Sequence, residues 1–226
     1  MVIAGTTEDT KRGNVSPIPS QEEINAALIE RHSEEIHSKL QQASVAVMGL
    51  GGLGSSVAVA LARIGVGKLV LADYDVVDLS NLNRQYYFFD QVGMLKTEAL
   101  KQNLVRINPY ISIDLVVHRL SEEMIPELFG QVDVLMECFD DPVMKAAGLR
   151  AALTALPGVG YVGASGMAGY GDNNTIHTRK MKDHVFLVGD FESAAEDGIS
   201  LMAPRVGIAA HQQANQAVRI LLGVDE

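Results

Sequence analysis

The sequence predicts an α/β protein: a mostly parallel sheet with helices on both faces. Three observations carry this. From residue 44 to residue 164, short apolar runs of strand length alternate with longer segments of helical spacing, the pattern of right-handed β–α–β crossovers. A glycine-rich turn joins the first apolar run to the segment after it. Hydrophobic residues are 47% of 226 while aromatics are 5% with no Trp, so a substantial core is available and it is aliphatic.

The elements follow in order. Residues 1–20, rich in Thr, Gly, Pro and Ser, read as a mobile leader. Between 21 and 42, Ile24, Leu28, Ile36 and Leu40 recur at helical spacing, and Ser20 with Glu23 forms a capping box: an amphipathic helix or helix pair. Residues 44–48 are the first strand. Residues 52–64 are a helix with small residues toward the sheet, ended by Gly65 and Gly67. Strand 68–73 follows, then helix 91–108, stopped by Pro109. Strand 112–118, short helix 122–129, strand 132–137, helix 141–155 and strand 158–164 complete the alternation. After Gly166 the pattern changes. Residues 175–178 and 184–188 read as short strands of an antiparallel extension, and 202–222 as a final helix with Ala209, Ala217, Val218, Leu221 and Leu222 available for packing. With no strong linker inside 21–226, this span reads as a single domain.

Composition excludes several classes. The net charge is −10, from 18 basic and 28 acidic side chains, which argues against nucleic acid as a partner. A single cysteine, Cys138, excludes an internal disulfide and a multi-cysteine zinc site, so no structural zinc is expected. No signal peptide or apolar run of membrane-spanning length is present, and a reducing, cytoplasmic setting is the natural reading.

The chemistry concentrates in a few places. Gly49, Gly51 and Gly54, with an extra Gly52, follow a strand and open a helix, so backbone N–H groups can cradle phosphate there. Asp73 ends the second strand, where a carboxylate can accept from ribose hydroxyls; Asp75 and Asp78 follow, at least one as a turn residue. In the segment Ser80-Asn81-Leu82-Asn83-Arg84-Gln85, Arg84 can pair with phosphate oxygens or merely cap a helix end. Lys96 lies in a helix's first turn, where a cation opposes the dipole, so an anion contact is one reading and a solvated surface lysine the other. Asp140 and Asp141 follow the fourth strand and can hold Mg²⁺ or cap the next helix. Cys138, alone on a core strand, reads as a small hydrophobe, with nucleophilic or sulfur-carrying chemistry as the other reading. The six histidines show no metal-ligand spacing.

Taken together, these residues resemble the ThiF/MoeB/HesA family, within the superfamily of the ubiquitin-activating enzymes. The resemblance runs from about Lys39 to about Ser165. It rests on the glycine turn, Leu71-Ala72-Asp73-Tyr74-Asp75, Leu79 to Gln85, Gly93 with Lys96, Arg106-Ile107-Asn108-Pro109, and the strand ending at Cys138 with Asp140. The tail, Ala164 to Gly171 and Ala203-Pro204-Arg205, looks most like the short family 2 ThiF proteins of thiamine biosynthesis. The resemblance implies a Rossmann-like fold and ATP-dependent adenylation of the C-terminal Gly-Gly carboxylate of a ThiS-like sulfur carrier, with release of pyrophosphate. It implies that Gly49, Gly51, Gly52 and Gly54 line the ATP site with Ser80, that Asp73 holds the ribose, that Asn81, Arg84 and Lys96 contact the phosphates, and that Asp140 binds Mg²⁺. It also implies a homodimer with an arginine donated across it, for which Arg31 is the nearest candidate.

Three departures narrow the reading. The family's paired Cys-x-x-Cys zinc ligands are missing, and no cysteine follows residue 165, so sulfur transfer on this chain is not expected. Asp141 stands where many relatives have Asn. The alternatives are adenylation of another carrier or of a small-molecule carboxylate, and, from a different class, a nicotinamide-dependent oxidoreductase. Against the last stand Arg84, Lys96 and Asp140.

Overall fold

The computed structural model describes residues 18–196 and 198–224. The expected leader lies outside these residues up to position 17. The chain runs α1 (Gln21–His32), α2 (Glu34–Gln42), β1 (Ser44–Met48), α3 (Gly52–Arg63), β2 (Lys68–Ala72), α4 (Lys96–Ile107), β3 (Ser112–Val116), α5 (Met124–Phe129), β4 (Val134–Glu137), α6 (Pro142–Thr154), β5 (Gly160–Ala164), β6 (His177–Lys182), β7 (Val185–Gly189) and α7 (Ala203–Leu222).

The first helical stretch is a pair. Ser20 Oγ accepts the Glu23 N–H and the Glu23 carboxylate accepts the Ser20 N–H, closing the capping box at the start of α1. Ser33, at φ +75°, breaks the helix and its hydroxyl caps α2. The expectation for α4 needs correction at its start. The helix begins at Lys96, not at 91, because Gly93 turns the backbone at φ +88° after a 3₁₀ turn at Phe89–Gln91. Gln91 still belongs to the packing: its amide donates to the Ala99 carbonyl and exchanges hydrogen bonds with Asn103.

The seven strands form one sheet in the order β3-β2-β1-β4-β5-β7-β6. All neighbours pair in parallel except β6 with β7. The antiparallel extension is therefore smaller than the sequence implied. β7 continues the parallel sheet against β5, pairing Tyr161 with Val185 through Ala164 with Val188. Its run Val185-Phe186-Leu187-Val188 is mostly buried, as a strand covered on both faces requires. Only β6, polar and exposed, closes the edge in antiparallel fashion.

Helices cover both faces. On one, α3, α4 and α7, with Leu40 of α2, share a core of Val57, Leu61, Leu100, Leu104, Ala209 and Ala217. On the other, α5 and α6 pack Ile125, Phe129, Ala147 and Ala151 on Met48, Leu135 and Tyr161. The start of α3 is fixed by contact. A Cβ on Gly54 would fall within the radius of the Gly49 carbonyl oxygen. Gly54→Ala therefore forces the turn away from the helix, and the expected loss is about 1–3 kcal/mol, read as a lower urea midpoint.

A second anchor lies beyond β7. Arg205 in α7 donates to Asp190 at 2.7 Å, to the Gly171 and Asp172 carbonyls, each at 2.8 Å, and to the Thr175 hydroxyl at 3.0 Å. The pair is almost fully buried. Burial alone would raise the Asp190 carboxyl. The N–H groups of Glu192 and Ser193 and the Arg205 guanidinium outweigh it and hold the group well below the usual carboxylate range. Because the folded pKa is depressed, this stabilisation is complete above the unfolded value of about 3.9 and fades as pH falls through the acid range. Asp190→Asn is expected to cost about 3 kcal/mol at neutral pH, and the gap to the parent protein should narrow when chemical unfolding is repeated near pH 3.

Candidate active site

The carboxyl ends of β2, β1, β4 and β5 open onto one cavity of about 580 Å³. Ligands bind at this edge of a parallel sheet because the strand-to-helix loops diverge there and helix N-termini point inward. Its floor is the glycine turn. Gly49 sits at φ +85°, and a Cβ there would lie 2.8 Å from the Cys138 carbonyl, so β1 can approach β4 only through glycine. Gly52 packs under Arg84, with a hypothetical Cβ 3.3 Å from both its Cγ and its carbonyl oxygen. Gly51 differs: a Cβ there would meet only the Gln85 amide nitrogen, at 3.8 Å. The fold does not fill the space above Gly51. It is the N-cap of α3, and no side chain caps that helix, so the first-turn N–H groups stay available to an anion.

Asp73 stands one residue beyond β2. Its Oδ2 accepts the Leu50 N–H at 2.7 Å and its Oδ1 the Asp75 N–H at 2.8 Å. Each oxygen keeps a lone pair for a ribose hydroxyl. Lys96 is no solvated surface lysine: it is 7% exposed, and its ammonium meets Asp75 at 2.8 Å beside the cavity. Arg84 occupies the C-cap of the 3₁₀ turn Leu79–Asn83. One guanidinium nitrogen donates to Asn83 at 2.8 Å, while its Nε is buried without a partner among the described residues, as is Oε1 of neighbouring Gln85. Unpartnered buried polar atoms at the wall of a cavity mark a place where a polar ligand completes the hydrogen bonding.

Gly49, Gly51, Gly52, Asp73, Arg84, Lys96 and Asp140 all line this cavity. Three expected binding residues do not, and each has a local reason. Gly54 is held against Gly49 by packing. The Ser80 hydroxyl donates to Asp78 at 2.6 Å. The Asn81 side-chain oxygen accepts the Asp78 N–H, completing a capping box on the 3₁₀ turn. Ser80 and Asn81 shape the segment that carries Arg84 and leave the ligand wall to Arg84. Arg31, the candidate donor across a dimer, is exposed on α1 and does not line the cavity either.

Asp140 and Asp141 divide the roles open to them. Asp141 caps α6, accepting the Val143 N–H at 3.0 Å. Asp140 is exposed at the cavity, with no hydrogen bond or ion pair among the described residues. No group of three metal-ligating side chains occurs among the described residues. One free carboxylate fits Mg²⁺, which takes one or two carboxylates and completes its shell with phosphate oxygens and water. Cys138 is buried and 3.9 Å from the Gln213 amide oxygen. Burial, reinforced by Glu137, pushes its thiol well above the ordinary range.

Two residues of the site escaped sequence reasoning. Glu137, the last residue of β4, is 1% exposed and accepts from the Lys145 ammonium at 3.0 Å and the Phe139 N–H at 2.8 Å. Burial raises this carboxyl, opposed by Lys145 and the N–H. Lys145, one turn into α6, also donates to the Ala164 carbonyl at 2.8 Å and lines the cavity. The signal was a carboxylate ending an otherwise apolar interior strand, which demands a nearby cation.

Comparison with known proteins gives the family. The ThiF family model matches residues 24–226. The sulfur carrier protein ThiS adenylyltransferase of Escherichia coli is 32% identical over 192 residues, 83% of this chain and 75% of its own. The molybdopterin-synthase adenylyltransferase of Haemophilus influenzae is 31% identical over 193 residues, 82% of this chain and 77% of its own. The adenylyltransferase and sulfurtransferase UBA4 of Kluyveromyces lactis is 35% identical over 194 residues, and there this chain spans 43% of the relative's length. Among solved structures, the E. coli tRNA N6-threonylcarbamoyladenosine dehydratase TcdA in complex with ATP superposes with a TM-score of 0.80 at 19% identity, over 92% of this chain and 98% of that one, a likeness of fold. A family match over nearly the whole chain, relatives above 30% identity and a glycine turn facing Asp73, Arg84 and Lys96 place this protein in the ThiF family.

Proposed function

We propose that this protein is an adenylyltransferase that activates the C-terminal Gly-Gly carboxylate of a small ThiS-like sulfur carrier with ATP. The observation that carries the reading is the single cavity that collects an unfilled glycine cradle, a ribose-accepting carboxylate and two cations. The ThiS and molybdopterin-synthase adenylyltransferases among the relatives supply the reaction class, and the resemblance of the tail to family 2 ThiF proteins favours the thiamine carrier among them. The reading includes a cytoplasmic homodimer in which the exposed Arg31 is offered to the partner. No described helix is long and apolar enough to cross a membrane.

The residues divide the work as follows. Asp73 accepts the ribose hydroxyls. The N–H groups at the start of α3 take phosphate oxygens over Gly51. The carrier's carboxylate, already ionised, attacks the α-phosphorus; the bond from that phosphorus to the bridging oxygen breaks, and pyrophosphate leaves with the electron pair. Charge grows on the α-phosphate oxygens and on the leaving group. Arg84 and Lys96 stabilise it from fixed positions, so little reorganisation is needed at the moment of reaction. Mg²⁺ held by Asp140 would supply further neutralisation of phosphate charge. No general base is required.

The decisive experiment is carrier-dependent ATP–pyrophosphate exchange, run with ThiS-like and molybdopterin-type carriers and with a small-molecule carboxylate. Exchange with the ThiS-like carrier and not with the others is the expected result. No carrier dependence, or NAD⁺ binding in preference to ATP, would overturn the proposal. Arg84→Ala is expected to lower exchange about 100- to 1,000-fold. Sulfur relay through Cys138 is not part of the function. Its buried thiol should resist iodoacetamide in the native protein near pH 8 and react once the chain is unfolded, as followed by mass spectrometry.

A further inference from the structure

Lys145 marks a second polar centre in the cavity, on the side away from the ribose. In the sheet order β2-β1-β4-β5, Asp73 follows β2 and the glycine turn follows β1, so a nucleotide held as proposed spans the ends of β2 and β1. Lys145 bridges the far side, from Glu137 at the end of β4 to Ala164 at the end of β5. The cavity continues past it along Ser165, Gly166 and Met167.

The ammonium has three N–H donors. One goes to Glu137 Oε1 at 3.0 Å and one to the Ala164 carbonyl at 2.8 Å. The side chain keeps 25% of its surface while Glu137 is sealed at 2%. A donor thus remains on the open side, on a lysine whose position is fixed at two points. Lys96 is paired with Asp75 after β2 and Arg84 packs over Gly52 after β1, whereas Lys145 is tied to the ends of β4 and β5.

We propose that Lys145 is the acyl-side cation of this site: it receives the substrate's carboxylate end with its remaining N–H, and Glu137 is the positioning residue that holds it there. The inference rests on the adenylation reading and adds to it a residue that binds the acyl substrate and not the nucleotide. Glu137 keeps the ammonium at the strand ends, and the Ala164 carbonyl sets its direction along β5. A free carboxylate is then recognised by charge and an amidated or esterified end is not.

The test uses the full chain, a purified ThiS-like carrier ending in Gly-Gly and a non-hydrolysable ATP analogue. Exchange by the parent protein establishes the adenylation reading first; its absence would sink that reading, and this one with it. With exchange in hand, Lys145→Gln is expected to raise the KM for the carrier about 10- to 100-fold, the loss of one charge-assisted hydrogen bond. Its affinity for the ATP analogue, by calorimetric titration, stays that of the parent. Lys145→Arg recovers part of the carrier KM. Should Lys145→Gln fold poorly because Glu137 is stranded, the pair Glu137→Gln with Lys145→Gln removes both charges and gives the same reading. An unchanged carrier KM, or a carrier KM and ATP affinity that weaken together, overturns the proposal and leaves adenylation standing.

Discussion

The backbone of β1 runs into the backbone of β4 at Gly49, and the site depends on that approach. No side chain fits between Gly49 and Cys138. The closeness lets the turn double back so that Gly54 abuts the Gly49 carbonyl and α3 starts directly beneath the cavity. The Leu50 N–H is then in reach of Asp73, which ties the turn to the end of β2. One tight contact thus sets the distances among the glycine turn, Asp73 and the start of the helix.

Two ion pairs stand near this edge of the sheet. In one, the sealed carboxylate of Glu137 meets the partly exposed ammonium of Lys145; in the other, Arg205 and Asp190 are both buried. Such pairs rarely add stability over well-packed hydrophobes of similar size. Their placement has another consequence. One fixes a cation between β4 and β5, and the other fastens α7 to the loops before β6 and after β7 that pass the cavity. The unpartnered Arg84 Nε and Gln85 Oε1 are the complementary case, polar capacity held ready at the wall.

Much of the fold was legible in the chain because its signals are local. The capping box at Ser20, the Pro142 helix start and the Gly65 helix end each depend on a few neighbouring residues. The misreadings came where neighbours mislead. Residues 91–95 carry helical spacing, yet Gly93 and the buried amide of Gln91 make them a turn packed onto α4. The run 185–188 looked like half of a separate hairpin, but which strand it pairs with beyond β6 is set by β5, more than twenty residues away in sequence.

The site divides along the same line. The motifs were legible along the chain: a glycine turn after a strand, a carboxylate at the next strand's end, an arginine and a lysine at set distances, because each serves a local backbone geometry. Which of these side chains share a cavity depends on contacts between distant segments. In the folded protein Arg84 and Lys96 line it, while Ser80, Asn81 and Gly54 do not. The tertiary structure also disclosed Glu137 and Lys145, whose meaning lies in a contact across β4, α6 and β5 that no spacing along one segment records. The physical reason is burial. A carboxylate sealed inside a sheet needs a cation, and which cation reaches it is fixed by packing in three dimensions.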